Sequence, residues 1–198
     1  MAVDYPLLTR KLREFYNFAD KAALLVGAGG GTLLDPAIPM KKLIAVDRDL
    51  SALREFERRT VKNGEKRSVE VVHGRFEEVT AHCDVVYFEF CLHEMADPFS
   101  ALKHARTLAP DAVVFDHSPV SEWIFYSAEE EVVRRSARAM KNFGIRRRSF
   151  FRTVQRFADY SELLTKISAQ GPLAMQRAGR YSAATDFVIP MFCELVLL

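Results

Sequence analysis

The residues best suited by type and spacing to chemistry lie in ALLVGAGGGTLLDP, positions 23 to 36, and in LIAVD, positions 43 to 47. Gly27, Gly29, Gly30 and Gly31 come directly behind an apolar run. Glycines there serve either as a tight loop or as clearance for a ligand whose bulk leaves no room for a Cβ. Gly27, Gly29 and Gly31 give a G-x-G-x-G spacing, and Thr32 stands where the dinucleotide pattern G-x-G-x-x-G/A has its third small residue. Asp47 follows Gly27 by 20 positions, where a carboxylate can accept hydrogen bonds from both hydroxyls of a ribose. An Asp at a strand end also forms turns or caps helices, and Asp49 is beside it for that task. The glycines, the spacing and the carboxylate together point to an adenosine-bearing ligand.

To hold these residues together, the chain needs strands that end at one edge. Strands are expected at 22–26, 43–47, 68–74, 83–90 and 111–117. Between them, helical spacing runs through 5–19, through ALREFERRTVK with Ser51 as its cap, and through DPFSALKHARTLA. Strands alternating with helices, several of them wholly apolar, indicate a parallel sheet covered on both faces. After residue 117 the rhythm changes. SPVSEWIFY leads to a helix over about 127–142, a basic block follows, and a further helix covers 159–169. The last eight residues read as a strand buried in the sheet, with 179–189 as a strand beside it.

The 198 residues suit one domain with a sizeable core. Hydrophobic residues make up 49% and charged residues 27%, too polar for a membrane span. The start, MAVDYPLLTRKLREF, turns charged too early for a secretory signal. Cys83, Cys91 and Cys193 are odd in number and never fall as C-x-x-C, so neither a disulfide framework nor structural zinc is expected. A cytoplasmic location follows as the expectation. The net charge of +2 conceals nine basic residues and no acidic one between Arg134 and Arg156.

LLVGAGGG, LIAVD, VEVVHGRFEEV and CDVVYFEFCLHEMADPFSALKHARTLAPDAVVFD, in that order, resemble the successive motifs of class I S-adenosylmethionine-dependent methyltransferases. LHEMADP with its following helix is similar to the small-molecule branch of that family. The resemblance covers about residues 20 to 117. It implies a Rossmann-like, doubly wound α/β fold whose seven-stranded, mostly parallel sheet ends in an antiparallel C-terminal strand. A single domain of 1–198 is expected, with an N-terminal helix in 1–20 and a helical, basic insert at 118–170 near the acceptor site.

By the same resemblance, Gly27, Ala28 and Gly29 would approach the methionine and ribose of S-adenosylmethionine, and Asp47 would hold the ribose hydroxyls. Arg48, Arg75 and Phe76 would flank the adenine, with Glu89 and Phe90 near the sulfonium. Two positions depart from the family pattern: Leu25 stands where an acidic residue precedes the first glycine, and Arg75 where an Asp follows the third strand. Glu89 is the candidate replacement for the missing carboxylate, attracting the cofactor's ammonium group.

His93 and His117 are the candidate catalytic residues. Both fall at the ends of strands facing the substrate rim, and a histidine titrates near working pH without tuning. His93 also reads as a structural loop residue, since methyl transfer to a reactive nucleophile needs positioning more than proton abstraction. His73, His82 and His104 lack metal-ligand spacing, and no metal is expected. Tyr16, Trp123 and Tyr126 are candidates for the acceptor pocket, with Tyr5 and Phe125 near them in sequence; each also reads as helix packing. Arg146, Arg147 and Arg148 form either a solvated face or a grip on an anionic acceptor or nucleic acid. The expected activity is methyl transfer to a small molecule. The alternatives are a non-catalytic binder of the cofactor, an RNA methyltransferase and an NAD-dependent oxidoreductase.

Overall fold

Apolar runs separated by amphipathic ones favour strands buried on both faces beneath packed helices. The computed structural model describes residues 2–28, 32–35, 37–62 and 67–198 and forms one eight-stranded sheet. The strands are β1 (Ala2–Val3), β2 (Ala22–Val26), β3 (Lys42–Asp47), β4 (Ser68–His73), β5 (Val85–Glu89), β6 (Asp111–His117), β7 (Arg147–Asp159) and β8 (Thr185–Leu197). The helices are α1 (Tyr5–Phe15), α2 (Leu50–Lys62), α3 (Pro98–Leu108), α4 (Glu122–Tyr126), α5 (Glu130–Phe143), α6 (Tyr160–Ile167) and α7 (Pro172–Ala178).

Across the sheet the order is β4-β3-β2-β5-β6-β8-β7-β1. Strands β2 to β6 run parallel, and β8 lies antiparallel to both β6 and β7. The expected Rossmann-like sheet with its antiparallel final strand is therefore present. It gains an eighth strand, the two-residue β1, which pairs with Gln155 and Arg156 of β7. The strand order reverses between β2 and β5, and that reversal opens a crevice at their carboxyl ends.

Side chains alternate across the sheet, as pleating requires. Ala23, Leu25, Val113 and Phe115 face α1, α2, α4, α6 and α7. Leu24, Val26, Val86, Phe88 and Val114 face α3 and α5. Leu25, where an acidic residue was expected from the family pattern, is fully buried in the first of these layers.

Three expectations are corrected here. The neighbour of the last strand is 147–159, not 179–189. Phe151, Thr153, Gln155 and Phe157 point inward while Arg152 and Arg156 point outward, so the basic block hides a period of two beneath its charge. The helix expected over about 127–142 begins at Glu130, and a short helix, α4, precedes it in SPVSEWIFY, the two separated where Ala128 takes φ +57°. Finally, Asp49 rather than Ser51 caps α2, its Oδ1 accepting from Ser51 N at 2.7 Å and Ser51 Oγ at 2.7 Å.

Candidate active site

The carboxyl ends of β2, β3 and β5 meet around Gly27. Its φ is +75°, a left-handed conformation that favours glycine, and its N–H donates to Val46 O at 3.0 Å. A Cβ built there would stand 3.2 Å from Cys91 Cβ, tighter than ordinary van der Waals contact, so a side chain would require Cys91 to shift. Asp47 closes the turn from β3: its Oδ2 accepts Ala28 N–H at 2.8 Å and its Oδ1 accepts Asp49 N–H at 2.9 Å. A carboxylate offers about four lone-pair directions, so acceptor capacity remains after these two bonds. Gly29, also expected at the cofactor, lies outside the described residues.

Glu89, at the end of β5, is buried and faces the loop that follows the glycines. Its Oε2 accepts Thr32 Oγ1 at 2.8 Å and its Oε1 accepts Thr32 N at 3.3 Å, while Tyr87 OH lies 3.0 Å from Thr32 Oγ1. Burial and the Glu89 charge push the Tyr87 phenol well above its ordinary pKa, so it stays protonated. Thr32, which breaks the dinucleotide pattern, is thus the residue through which Glu89 secures the loop. Phe90 follows with φ +50°, strained for a residue with a side chain, and its N–H donates to Phe115 O at 2.7 Å.

Two cavities adjoin at this turn, sharing Gly27, Asp47, Cys91 and Glu94. The smaller, about 230 Å³, lies among Arg48, Gly74, Arg75 and Phe76. Phe76 is buried with its ring edge-on to Phe88, whereas Arg75 is largely exposed and 3.6 Å from Glu77. The larger, about 390 Å³, is walled by Glu89, Phe90, His93, His117, Trp123 and Glu129, with Tyr5 and Leu8 of α1 above. Its size falls within the range of small-molecule sites. Trp123 reaches it stacked on Phe157, ring centroids 6.1 Å apart.

His93 and His117 both line this larger cavity but differ in state. His93 Nδ1 lies 2.6 Å from Asp116 Oδ1, and Asp116 also accepts the backbone N–H of His93 at 3.3 Å and of His117 at 2.8 Å. Burial disfavours an imidazolium at His93, but the carboxylates of Asp116, Glu129 and Glu94 outweigh it and raise the pKa to about 9. Burial dominates at His117 and lowers its pKa to about 3, leaving it neutral, and Nδ1 has no hydrogen-bond partner. At neutral pH His93 is consequently a cation, not a base. Cys91 is no nucleophile either, since burial pushes its thiol well up and its Sγ donates to Val26 O at 3.1 Å.

Other expected site residues lie elsewhere. Tyr16 does not line the larger cavity: its OH donates to Asp111 Oδ2 at 2.5 Å and accepts Lys21 Nζ at 2.6 Å, at the amino ends of the strands. Helix α1 starts above the cavity at Tyr5, and its 11 residues carry the chain about 16 Å away before Tyr16. Tyr126 is buried against Phe125 and Tyr181, with Arg180 on its OH at 2.5 Å, and does not line the larger cavity. Arg146, Arg147 and Arg148 are engaged within the chain, the first two at that same far end. They pair respectively with Asp111, with the Phe15 ring and Glu14 O, and with buried Glu194.

Sequence reasoning missed Asp116, Glu129 and Gln155. Gln155 stands in the basic block, and only its inward parity along the strand signals it. Among the described residues no group of three or more His, Cys, Asp or Glu could hold a metal ion, and no helix is long and apolar enough to cross a membrane.

A glycine turn, a carboxylate one strand over and paired cavities at the sheet's switch point are the arrangement expected of a methyltransferase-type α/β fold. The family description "Methyltransferase domain" matches residues 24–116, the span from β2 to β6. This match, together with the shared fold of solved structures, supports a class I S-adenosylmethionine-dependent methyltransferase domain over that span.

Solved structures share the fold over nearly the whole chain. A Bacillus halodurans C-125 protein assigned as a methyltransferase has 16% identity and TM-score 0.69, with 96% of each chain covered. A SAM-dependent methyltransferase from Aquifex aeolicus has 19% identity and TM-score 0.54, covering 97% of this chain and 89% of that one. A Pyrococcus horikoshii protein assigned as an RNA methyltransferase has 16% identity and TM-score 0.58, covering 98% and 82%. No curated protein matches the sequence.

Proposed function

We propose that the protein transfers the methyl group of S-adenosylmethionine to a small molecule enclosed in the larger cavity. The observation that carries this reading is the pair of adjoining cavities joined at Gly27 and Asp47, one open among Arg48, Arg75 and Phe76, the other walled by α1, α4 and β7. The residues fit the cofactor. The space at Gly27 that a Cβ would close admits its close approach, and Asp47 keeps acceptor capacity for ribose hydroxyls. Phe76 and Arg75 offer a ring edge and a guanidinium to a base. Glu89 adds negative charge at the amino-acid end while keeping the Thr32 loop in place.

When bound, S-adenosylmethionine supplies an electrophilic methyl carbon open to in-line displacement. The chain's own contribution is alignment and exclusion of water. Trp123, Leu8, Met191 and Phe90 line the cavity with apolar surface, and His93, fixed by Asp116, presents its Nε2 edge there. In this reading the cofactor half comes from residues 24–116, and the acceptor half from the segments before and after.

A small acceptor is supported over RNA by the engagement of Arg146, Arg147 and Arg148 within the chain, with Asp111, with Glu14 O and with Glu194. Two experiments test the reading. Calorimetric titration of S-adenosylmethionine should show micromolar-range binding by the wild type, lost in Asp47→Ala. A host-cell extract incubated with methyl-labelled cofactor should then yield label below about 1 kDa. Label confined to nuclease-sensitive material would overturn the small-molecule assignment, and binding without any labelled product would leave a cofactor-binding protein.

A further inference from the structure

Glu129 occupies the break between α4 and α5, and the break aims it. Ser127 Oγ donates to Glu129 Oε2 at 2.5 Å, while Oε1 faces His93 Nε2 at 3.9 Å. The imidazole is fixed from behind. Asp116 can only accept, so the 2.6 Å contact makes Nδ1 the protonated nitrogen on that side. Arg135 of α5 donates to Met95 O at 2.8 Å and to His93 O at 3.5 Å, holding the turn that carries the ring. A gap of 3.9 Å exceeds hydrogen-bond reach, yet it lets a single oxygen lie against both groups. Both residues line the larger cavity.

We propose that the methyl acceptor is a hydroxyl compound, an alcohol or a phenol, whose oxygen sits between His93 Nε2 and Glu129 Oε1. It accepts from the imidazolium and donates its own proton to the carboxylate. The inference rests on reading this cavity as the acceptor site. The two flanking groups discriminate among nucleophiles. A protonated alkylamine has no lone pair for Nε2–H, a carboxylate has no proton for Glu129, and a thiol is weak in both roles. A hydroxyl satisfies both at once.

The charged and titratable groups facing His93 are Asp116 and His117 from β6, Glu94 from its own turn, Glu129 from the α4–α5 break and Arg135 from α5. With its pKa at about 9, the ring carries the Nε2 proton at neutral pH. In the transfer, an oxygen lone pair forms the new bond to the methyl carbon, and the sulfur–methyl bond breaks with its electron pair left on sulfur. The hydroxyl proton passes to Glu129 Oε1. The products are a methyl ether, S-adenosylhomocysteine and a protonated Glu129, which returns its proton to solvent. Glu129 is then a catalytic residue, and Asp116 a positioning residue acting through His93.

The test uses two fluorinated probes in protein saturated with S-adenosylhomocysteine, whose own binding is measured by calorimetry in the same preparation. Titrated by fluorine NMR, 4-fluorophenol should bind the wild type roughly tenfold or more tightly than 4-fluoroanisole, which has lost the donor hydrogen. Glu129→Gln and His93→Gln should each remove most of that preference, while their S-adenosylhomocysteine affinity reports an intact fold and cofactor crevice. Equal binding of the two probes by the wild type, no binding of 4-fluorophenol, or a preference unchanged in both variants would overturn the proposal and make the pair an ion pair only. Failure of the wild type to bind S-adenosylhomocysteine would instead strike at the cofactor reading beneath it.

Discussion

Asp47 and Ala28 are joined across the carboxyl edge of the sheet, Oδ2 of one accepting the backbone N–H of the other at 2.8 Å. Through Oδ1 the same carboxylate holds Asp49 N–H, so it fixes both the glycine turn and the start of α2. Asp47→Ala should raise the Kd for S-adenosylmethionine by more than about tenfold and cost about 1–2 kcal/mol of stability from two lost hydrogen bonds. Calorimetry and urea denaturation read the two effects separately. Unchanged affinity would remove Asp47 from the cofactor site.

Gly27→Ala combines a positive φ with a Cβ placed 3.2 Å from Cys91 Cβ. Gly144→Ala shares the positive φ, at +111°, but meets nothing within 4 Å. The second substitution should cost about 1 kcal/mol by strain alone. The first should cost more than that and abolish cofactor binding. Equal denaturation midpoints for the two variants would show that the turn has room to relax.

Tyr16 supports the end of the sheet remote from the cavities, and Arg148 pairs with a buried carboxylate opposite Asp116 of β6. Tyr16→Phe should lower stability by about 1 kcal/mol, since Lys21 and Asp111 keep their own pairing at 3.5 Å, and leave cofactor affinity unchanged. Arg148→Ala abandons a fully buried carboxylate at Glu194, whose pKa burial already pushes up, and should cost about 3–5 kcal/mol. Adding Glu194→Gln to Arg148→Ala should recover part of the loss in thermal denaturation.

The two cavity histidines should give stability a maximum near pH 6.5. His93 has a folded pKa of about 9, above the ordinary 6.5, so its contribution is complete below 6.5 and is lost as pH rises through 9. His117 has a folded pKa of about 3, so below 6.5 the unfolded chain takes up a proton that the folded one refuses, and stability falls toward pH 3. Each limb should approach a slope of about 1.4 kcal/mol per pH unit for one proton. His117→Gln should flatten the acid limb. Asp116→Asn should move the His93 titration down, as followed by NMR, and flatten the alkaline limb.

The half of the site built from backbone was legible in the sequence. Gly27 and Asp47 are tied by covalent spacing and by the strand-to-strand geometry of a parallel sheet, so their separation in the chain translates directly into a separation in space. The other half was not. Asp116 and Glu129 reach His93 from 23 and 36 residues further along the chain, and only packing brings them there. Glu129 opens a run of three glutamates, and nothing in the run marks which of them turns inward. The arginine block misled for a similar reason: its charge suggested a surface, while alternating Phe151, Thr153, Gln155 and Phe157 made it a sheet strand. Tyr16 shows the limit of helical spacing, which gives the face of α1 but not which end of the molecule that end of the helix reaches.

Helix α1 is held differently at its two ends. Its foot is anchored through Tyr16 to Asp111 and Lys21, while its head is joined to the sheet by the two residues of β1 on β7. At the head, Tyr5 is exposed and Leu8 is buried in the core, and both meet the larger cavity. One helix therefore links the two edges of the molecule, its foot tied to the amino ends of the strands and its head closing the wall of the larger cavity.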